Sequence, residues 1–312
     1  MEQKVKIFLF HRISPVRDKM WDPIDPALFR KLIKYITKKY SVYTVEELFY
    51  NNYNNYNIHN TNKPLACITF DDGYKDFIHY ALPVLQEYSA KSSIYVVTNC
   101  ISSGLPPWTY VLDYLFLNSK KNNLSKLSDI LECPEEQLKF ENVSSRIKYG
   151  KLLKKQLKKV SDIKRRNIFN SLVSFFDEVE IPSDLMMNSE DIVQISDAGV
   201  ITGSHTVSHP LLSKIEDETM LYNELKVSGL EIERITGKFP ITISYPVGSY
   251  DDRVMKLSEK AGYKIGLAVE QKEYKGNLTA SFNIPRIEIY NENYFKSLLR
   301  LNGYIERIKK LL

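Results

Sequence analysis

Residues 64–74 read PLACITFDDGY, an apolar run that ends abruptly in two adjacent carboxylates, a glycine and a tyrosine. A short apolar run closed by turn residues reads as a strand buried on both faces. An amphipathic helix through Ala81, Leu82 and Leu85 follows it, so the stretch is a strand–loop–helix unit with Asp71 and Asp72 at the loop. Like charges this close raise each other's pKa, and the pair calls for a cation or a shared proton.

The same alternation extends in both directions. VKIFLF (5–10) reads as a strand and DPALFRKLIKYITKKY (25–40) as a helix with Leu28, Leu32, Ile33 and Ile36 on one face. SSIYVVT (92–98), VITGS (200–204), ITISYP (241–246), KIGLAV (264–269) and IPRIEI (284–289) read as further strands. Between them lie helices over 188–199, 216–236 and 251–261, stopped at Gly199, Gly237 and Gly262. Asp251 and Asp252 cap the last of these. Strands alternating with helices imply a parallel sheet, open or closed into a barrel, with chemistry at the strand ends. From Trp108 to about Asp184 the period is helical throughout. The expected organisation is a core of 1–104 and 185–292, a helical insertion over 105–184 and an amphipathic helix over 293–312.

Composition narrows the function classes. The chain of 312 residues is 43% hydrophobic, enough for a sizeable core. No stretch reaches the ~18 apolar residues of a membrane span, and the N-terminal run is too short and polar for a secretory signal. The three cysteines, Cys67, Cys100 and Cys133, lack metal-type spacing and read as idle thiols in a reducing compartment, which gives a cytoplasmic expectation. The formal charge of +5 is concentrated over 119–166, where 14 Lys or Arg face 6 Asp or Glu. A phosphate-bearing substrate or an acidic membrane surface would suit that segment; no nucleic-acid reading module is present. NNYNNYNIHN (51–60) reads as an exposed low-complexity loop.

A second cluster, GSHTVSHP (203–210), sets His205 and His209 four apart just after a strand, where one helical turn would put both rings on one side. Two imidazoles and one carboxylate make a facial three-ligand site with open positions, as found with Zn²⁺ or Fe²⁺. One acid of the pair would then bind the metal, and the other, kept ionised by it, would act as a base.

TFDDGY (69–74) and SHTVSHP (204–210), in this order, resemble the first two motifs of the NodB-type polysaccharide deacetylases, carbohydrate esterase family four. The resemblance covers residues 5–100 and 185–290. It implies a distorted (β/α) barrel, Asp71 as general base, and Asp72, His205 and His209 as ligands of a divalent metal. Zinc is the expected ion, with cobalt, manganese, nickel or iron as alternatives. It further implies a hydrolase that removes an N-acyl group, expected to be acetyl, from an amino sugar. A cytoplasmic enzyme would meet a nucleotide- or lipid-phosphate-linked precursor of a cell-surface polysaccharide, with peripheral contact to an acidic membrane surface. Rival readings are a deformylase or O-acetyl esterase, and an inactive carbohydrate-binding homologue.

The sequence departs from the family pattern twice. The third motif appears as SYPVGSYDD (244–252): Ser244 stands where an arginine orients the base, and Val247 replaces a tyrosine. A backbone N–H of Val247 would serve the oxyanion, and Arg286 in IPRIEI is the candidate to reach Asp71. The C-terminal histidine motif is absent, since no histidine follows His209. FLFHRISP (8–15) instead resembles a subgroup whose acid histidine lies near the N-terminus, which makes His11 the candidate acid. Tyr74 is expected to line the sugar site or fill the loop, Trp108 to anchor the insertion, and His59 and His79 to be inert.

Overall fold

The computed structural model describes residues 3–50 and 62–309; the Asn-rich stretch and His59 lie outside them. Nine strands form one curled sheet: β1 (Gln3–Phe10), β2 (Ser41–Tyr43), β3 (Leu65–Phe70), β4 (Ser93–Val96), β5 (Ile201–Ser204), β6 (Thr242–Ser244), β7 (Ile265–Leu267), β8 (Tyr274–Gly276) and β9 (Ile287–Glu288). The spatial order is β7-β6-β5-β4-β3-β1-β8, with β2 on β3 and β9 on β1. All pairings are parallel except that of β8 with β1. A parallel bridge from Leu267 to Ile284, just before β9, ties β7 toward the far end of the sheet. The result is the distorted (β/α) barrel that the family resemblance implies, and the parallel sheet that the strand–helix alternation predicts.

The central strands are buried on both faces, and the side each residue faces explains where the site falls. Phe8, Phe10, Ile68, Phe70, Ile94 and Val96 point outward and pack against the helices. Val5, Ile7, Leu65, Cys67, Tyr95, Ile265, Leu267 and Ile284 point inward and fill the barrel. Successive strand residues face opposite sides, so each inward series, continued past the end of its strand, leads to His11, Asp71 and His205. A strand with both faces covered must be apolar throughout, which is why β3 reads as a continuous run.

The helices match the sequence closely. Pro26–Lys39 is capped by Asp25 and buries Phe29, Leu32, Ile33 and Ile36. Ser189–Asp197 begins with an Asn188 capping box, and Asp252–Ala261 is capped by Asp251. Four helices occupy the insertion, at Trp108–Asn118, Ser128–Leu131, Val143–Leu157 and Asp162–Phe175. They surround an apolar cluster of their own that includes Leu112, Phe116, Leu153 and Leu172. Trp108 is 5% exposed, packs on Phe169 and lies under the Arg165 guanidinium, anchoring this layer.

The C-terminal segment departs from expectation. In place of one amphipathic helix there are two, Tyr294–Leu301 and Tyr304–Lys309, broken at Gly303 with φ 77°. The first docks on the helix Pro26–Lys39, with Leu298 and Leu301 in the shared core. Among the described residues no helix is long and apolar enough to cross a membrane.

Candidate active site

The strand ends converge on a cavity of about 210 Å³ lined by His11, Asp71, Asp72, His205, His209 and Val247 together with Trp21, Tyr110, Asp113, Lys154, Lys158 and Glu288. The β1–β3 register pairs Phe10 with Phe70, and the Asp71 N–H donates to the Phe10 carbonyl at 3.1 Å, so the residues just past both ends lie side by side. In extended backbone Asp72 would point away from Asp71. Its left-handed φ of 76° breaks the alternation, and both acids face the same cavity. Gly73 continues the turn at φ 85°, where a Cβ would meet the Val96 side chain at 3.1 Å.

His205 and His209 do not sit on a helical turn. The chain after β5 is irregular, with Thr206 at φ 70° and His209 at φ 58°. Non-glycine residues held in this region carry strain that clusters at functional sites. The turn is secured by its neighbours: the Val207 and Ser208 N–H groups donate to Glu224 at 3.0 and 2.9 Å, and the His209 N–H to Thr206 Oγ1 at 3.2 Å. The Trp108 indole donates to the His209 carbonyl at 2.9 Å, so the insertion also braces this loop.

Asp72 Oδ1 lies 3.4 Å from His205 Nε2 and 3.3 Å from His209 Nε2. His205 Nδ1 is 2.8 Å from the Ser244 carbonyl and donates to it, which leaves Nε2 with its lone pair toward Asp72. Asp72 Oδ1 itself is buried without a hydrogen-bond partner. An orphaned carboxylate oxygen facing the His205 lone pair is repulsive unless a cation lies between them. The three ligand atoms lie within 4.8 Å of one another, which fits a divalent metal. The Ser244 carbonyl supplies the outer support that ligating histidines need, whereas His209 Nδ1 has no partner among the described residues.

Asp71 has a different environment. Arg286 donates to it from both terminal nitrogens, at 2.8 Å to Oδ1 and 2.7 Å to Oδ2. Ser244 Oγ donates to Oδ2 at 2.9 Å and accepts from Arg286 at 2.7 Å. Arg286 is fully buried and also donates to the Ala268 carbonyl at 3.2 Å. The guanidinium that the third motif lacks at position 244 therefore arrives from β9's approach, and the serine in its place completes the network.

Electrostatics follow from these contacts. Burial pushes Asp71 up, but Arg286 and then His205 outweigh it and hold the carboxyl below its ordinary value. Asp72 is likewise raised by burial and brought well below its ordinary value by His205 and His209. Of the two acids, Asp71 has a permanent cation in contact, Arg286 at 2.7 Å. Burial lowers His205, yet Asp71 and Asp72 raise it overall; in His209 burial wins and the ring is lowered.

The remaining candidates separate. His11 lines the cavity, with Nδ1 3.7 Å from Glu288 Oε1 and its ring edge-on to Trp21 at 5.0 Å. Val247 is at the rim with φ 58° and a 39% exposed side chain. Tyr74 does not line the cavity: it is 1% exposed, packed with Val97, Cys100 and Met186 beneath the Arg12 guanidinium. His79 is exposed on the outer helical segment Phe77–Ala81. Sequence reasoning missed Glu288, Trp21 and Asp113, of which only Glu288 carried a signal, lying two residues after Arg286; Lys154 and Lys158 belong to the basic segment read as suited to a phosphate or an acidic surface, and they line this cavity.

Comparison with known proteins gives the family and the fold. The polysaccharide deacetylase family profile matches residues 58–137 and 171–266, more than half of the chain. YxkH of Bacillus subtilis (strain 168) is 27% identical over 84 residues, a stretch that spans 27% of this chain and 30% of YxkH. The Streptococcus pyogenes deacetylase PplD, solved with acetate, superposes with a TM-score of 0.63 at 17% identity, covering 96% of this chain and 99% of that one. A de-N-acetylase from Aggregatibacter actinomycetemcomitans gives 0.58 at 15% identity, covering 96% and 100%. IcaB from Ammonifex degensii gives 0.59 at 11%, covering 96% and 97%. At these identities the likeness is one of fold.

Proposed function

The chain belongs to the polysaccharide deacetylase family, and on that premise we propose that it hydrolyses the N-acetyl amide of an amino sugar. The observation that carries this reading is the pairing of Asp72, His205 and His209 around one point with Asp71 fixed beside them by Arg286. Asp72, His205 and His209 would hold a divalent cation, zinc by the donor set, which when bound supplies Lewis acidity toward water and the acyl carbonyl.

The chain's own residues do the proton work. Asp71, ionised and held by Arg286 and Ser244, accepts a proton from the water whose oxygen adds to the acyl carbon. The Val247 N–H at the rim would donate to the oxygen that gains charge. His11, in the N-terminal position of a subgroup of the family, delivers a proton to the nitrogen as the C–N bond breaks, releasing acetate and the amine. Glu288 Oε1 lies 3.7 Å from His11 Nδ1, on the ring's other nitrogen side.

The test is acetate release from N-acetylglucosamine oligomers by metal-loaded protein, after chelation, and after zinc is restored. Release that is lost with the metal and regained with it supports the reading; release unaffected by chelation contradicts it.

A further inference from the structure

The helical layer over 108–175 contributes charge to the cavity. Asp113 and Tyr110 come from the helix Trp108–Asn118, and Lys154 and Lys158 from the last turn and cap of Val143–Leu157. Among the described residues nearly every charged group there has a partner. Asp71 is bound by Arg286, Asp113 by Lys154, and Glu288 by His11 and the Tyr290 hydroxyl. Asp72 belongs to the metal ligands. Lys158 alone has neither an ion pair nor a side-chain hydrogen bond, although it is half-buried and lines the cavity that holds the two acids. Glu288, Asp113 and Asp72 attract the Lys158 ammonium from beyond ion-pair distance, and an ammonium partly out of water with no acceptor in contact persists where a ligand completes it.

Resting on the deacetylase reading above, we propose that the cavity takes an amino sugar carrying an anionic group near the amide it loses, and that Lys158 is the specificity-determining residue that binds this group. An ammonium on a flexible stem acts as a point charge and accepts a phosphate or a carboxylate at varied angles. The anion has two chemical sources. One is a phosphate ester on the sugar of a linked precursor, and the other is the carboxylate of an acidic sugar. Burial and the neighbouring Lys154 lower the Lys158 ammonium's pKa against the pull of Glu288, Asp113 and Asp72, and an incoming anion would favour the charged form.

The experiment compares wild type, Lys158→Met and the exposed control Lys159→Met on three substrates: N-acetylglucosamine 1-phosphate, N-acetylglucosaminuronic acid and neutral chitotriose. The proposal expects wild type to favour one anionic substrate over the neutral one by about tenfold or more in kcat/KM. Lys158→Met should cut that ratio by a similar factor, chiefly through KM, while Lys159→Met keeps it. Which anionic substrate is favoured identifies the source. Calorimetry of glucosamine 1-phosphate, glucosaminuronic acid and glucosamine on the metal-loaded proteins gives a readout that needs no turnover. There the favoured anion should bind about tenfold more weakly to Lys158→Met. If no substrate releases acetate, the deacetylase reading fails, and the calorimetry alone still decides the role of Lys158. An equal ratio and equal Kd in wild type and Lys158→Met would overturn the proposal. So would a lower Tm with no change in selectivity, the result expected if Lys158 serves only the negative end of its helix.

Discussion

Arg286 holds Asp71 across 215 residues of chain, through two parallel hydrogen bonds of 2.8 and 2.7 Å in a fully buried pocket. A fork-to-fork pair fixes the plane of the carboxylate as well as its charge. That matters for a base, because the lone pairs that the fork leaves free must stay aimed at the water. Ser244 locks the same oxygen that Arg286 Nη2 reaches, so the network determines which face of Asp71 remains free.

Replacing Arg286 with Gln is therefore expected to lower kcat by about two orders of magnitude with a small change in KM, as for a displaced general base. Leaving Asp71 buried without its partner should also cost about 3–5 kcal/mol of stability. Steady-state kinetics and urea unfolding of Arg286→Gln check both. A variant with normal kcat would show that the pair is structural only.

His11 is expected to matter in proportion to the basicity of the departing group. His11→Asn should lose about 10²–10⁴ in kcat on an N-acetyl sugar, whose amine must be protonated to leave. The same variant should retain most of its rate on an activated aryl acetate, whose phenolate leaves unaided. Rates on the two substrate types test this; an equal loss on both would remove His11 from the proton-donor role.

The indole of Trp108 donates to the His209 carbonyl, so the insertion supports a metal ligand from outside the barrel. Trp108→Phe keeps the packing on Phe169 and removes this bond. Outer-shell losses of this type cost about 10–100-fold in metal affinity. Competition for zinc against a chromophoric chelator measures it, and an unchanged affinity would mean that the glutamate and threonine bonds suffice to hold the loop.

How much of this was readable beforehand depended on length and distance. β3 and the Val5–Phe10 part of β1 were legible as apolar runs, and β6 and β7, three residues each, because they lie within longer apolar stretches; β8, read YKG, carries no such run, and β2, read SVY, is cut off at once by Thr44. The Asp71–Asp72 pair and the two histidines were visible as residue types at strand ends. Their geometry was not, because left-handed backbone at Asp72, Thr206 and His209 has no propensity signal in non-glycine residues. Arg286 was readable as a candidate from the missing arginine at 244. Lys158 was hidden in a basic run whose members look alike until folding turns one of them toward the cavity.

Asp76 gives a prediction for pH. It accepts from Arg12 at 2.8 Å, yet burial, the leading influence, pushes it up to about 6 against the pull of that guanidinium. An unfolded aspartate titrates near about 3.9, so between these values the folded state binds more protons and stability falls as pH rises. Asp76→Asn removes this titration. The unfolding free energy of wild type relative to Asp76→Asn should therefore decrease from pH 4 to pH 7, by up to about 3 kcal/mol. Urea midpoints at the two pH values check it; a difference independent of pH would contradict the assignment.

The most direct test is the rate of acetate release by Asp71→Asn carrying one zinc per chain. The account predicts that this variant binds zinc as wild type does and loses about three orders of magnitude in rate, because Asn cannot accept the proton from water. Deacetylation at near wild-type rate by the zinc-loaded variant would contradict it.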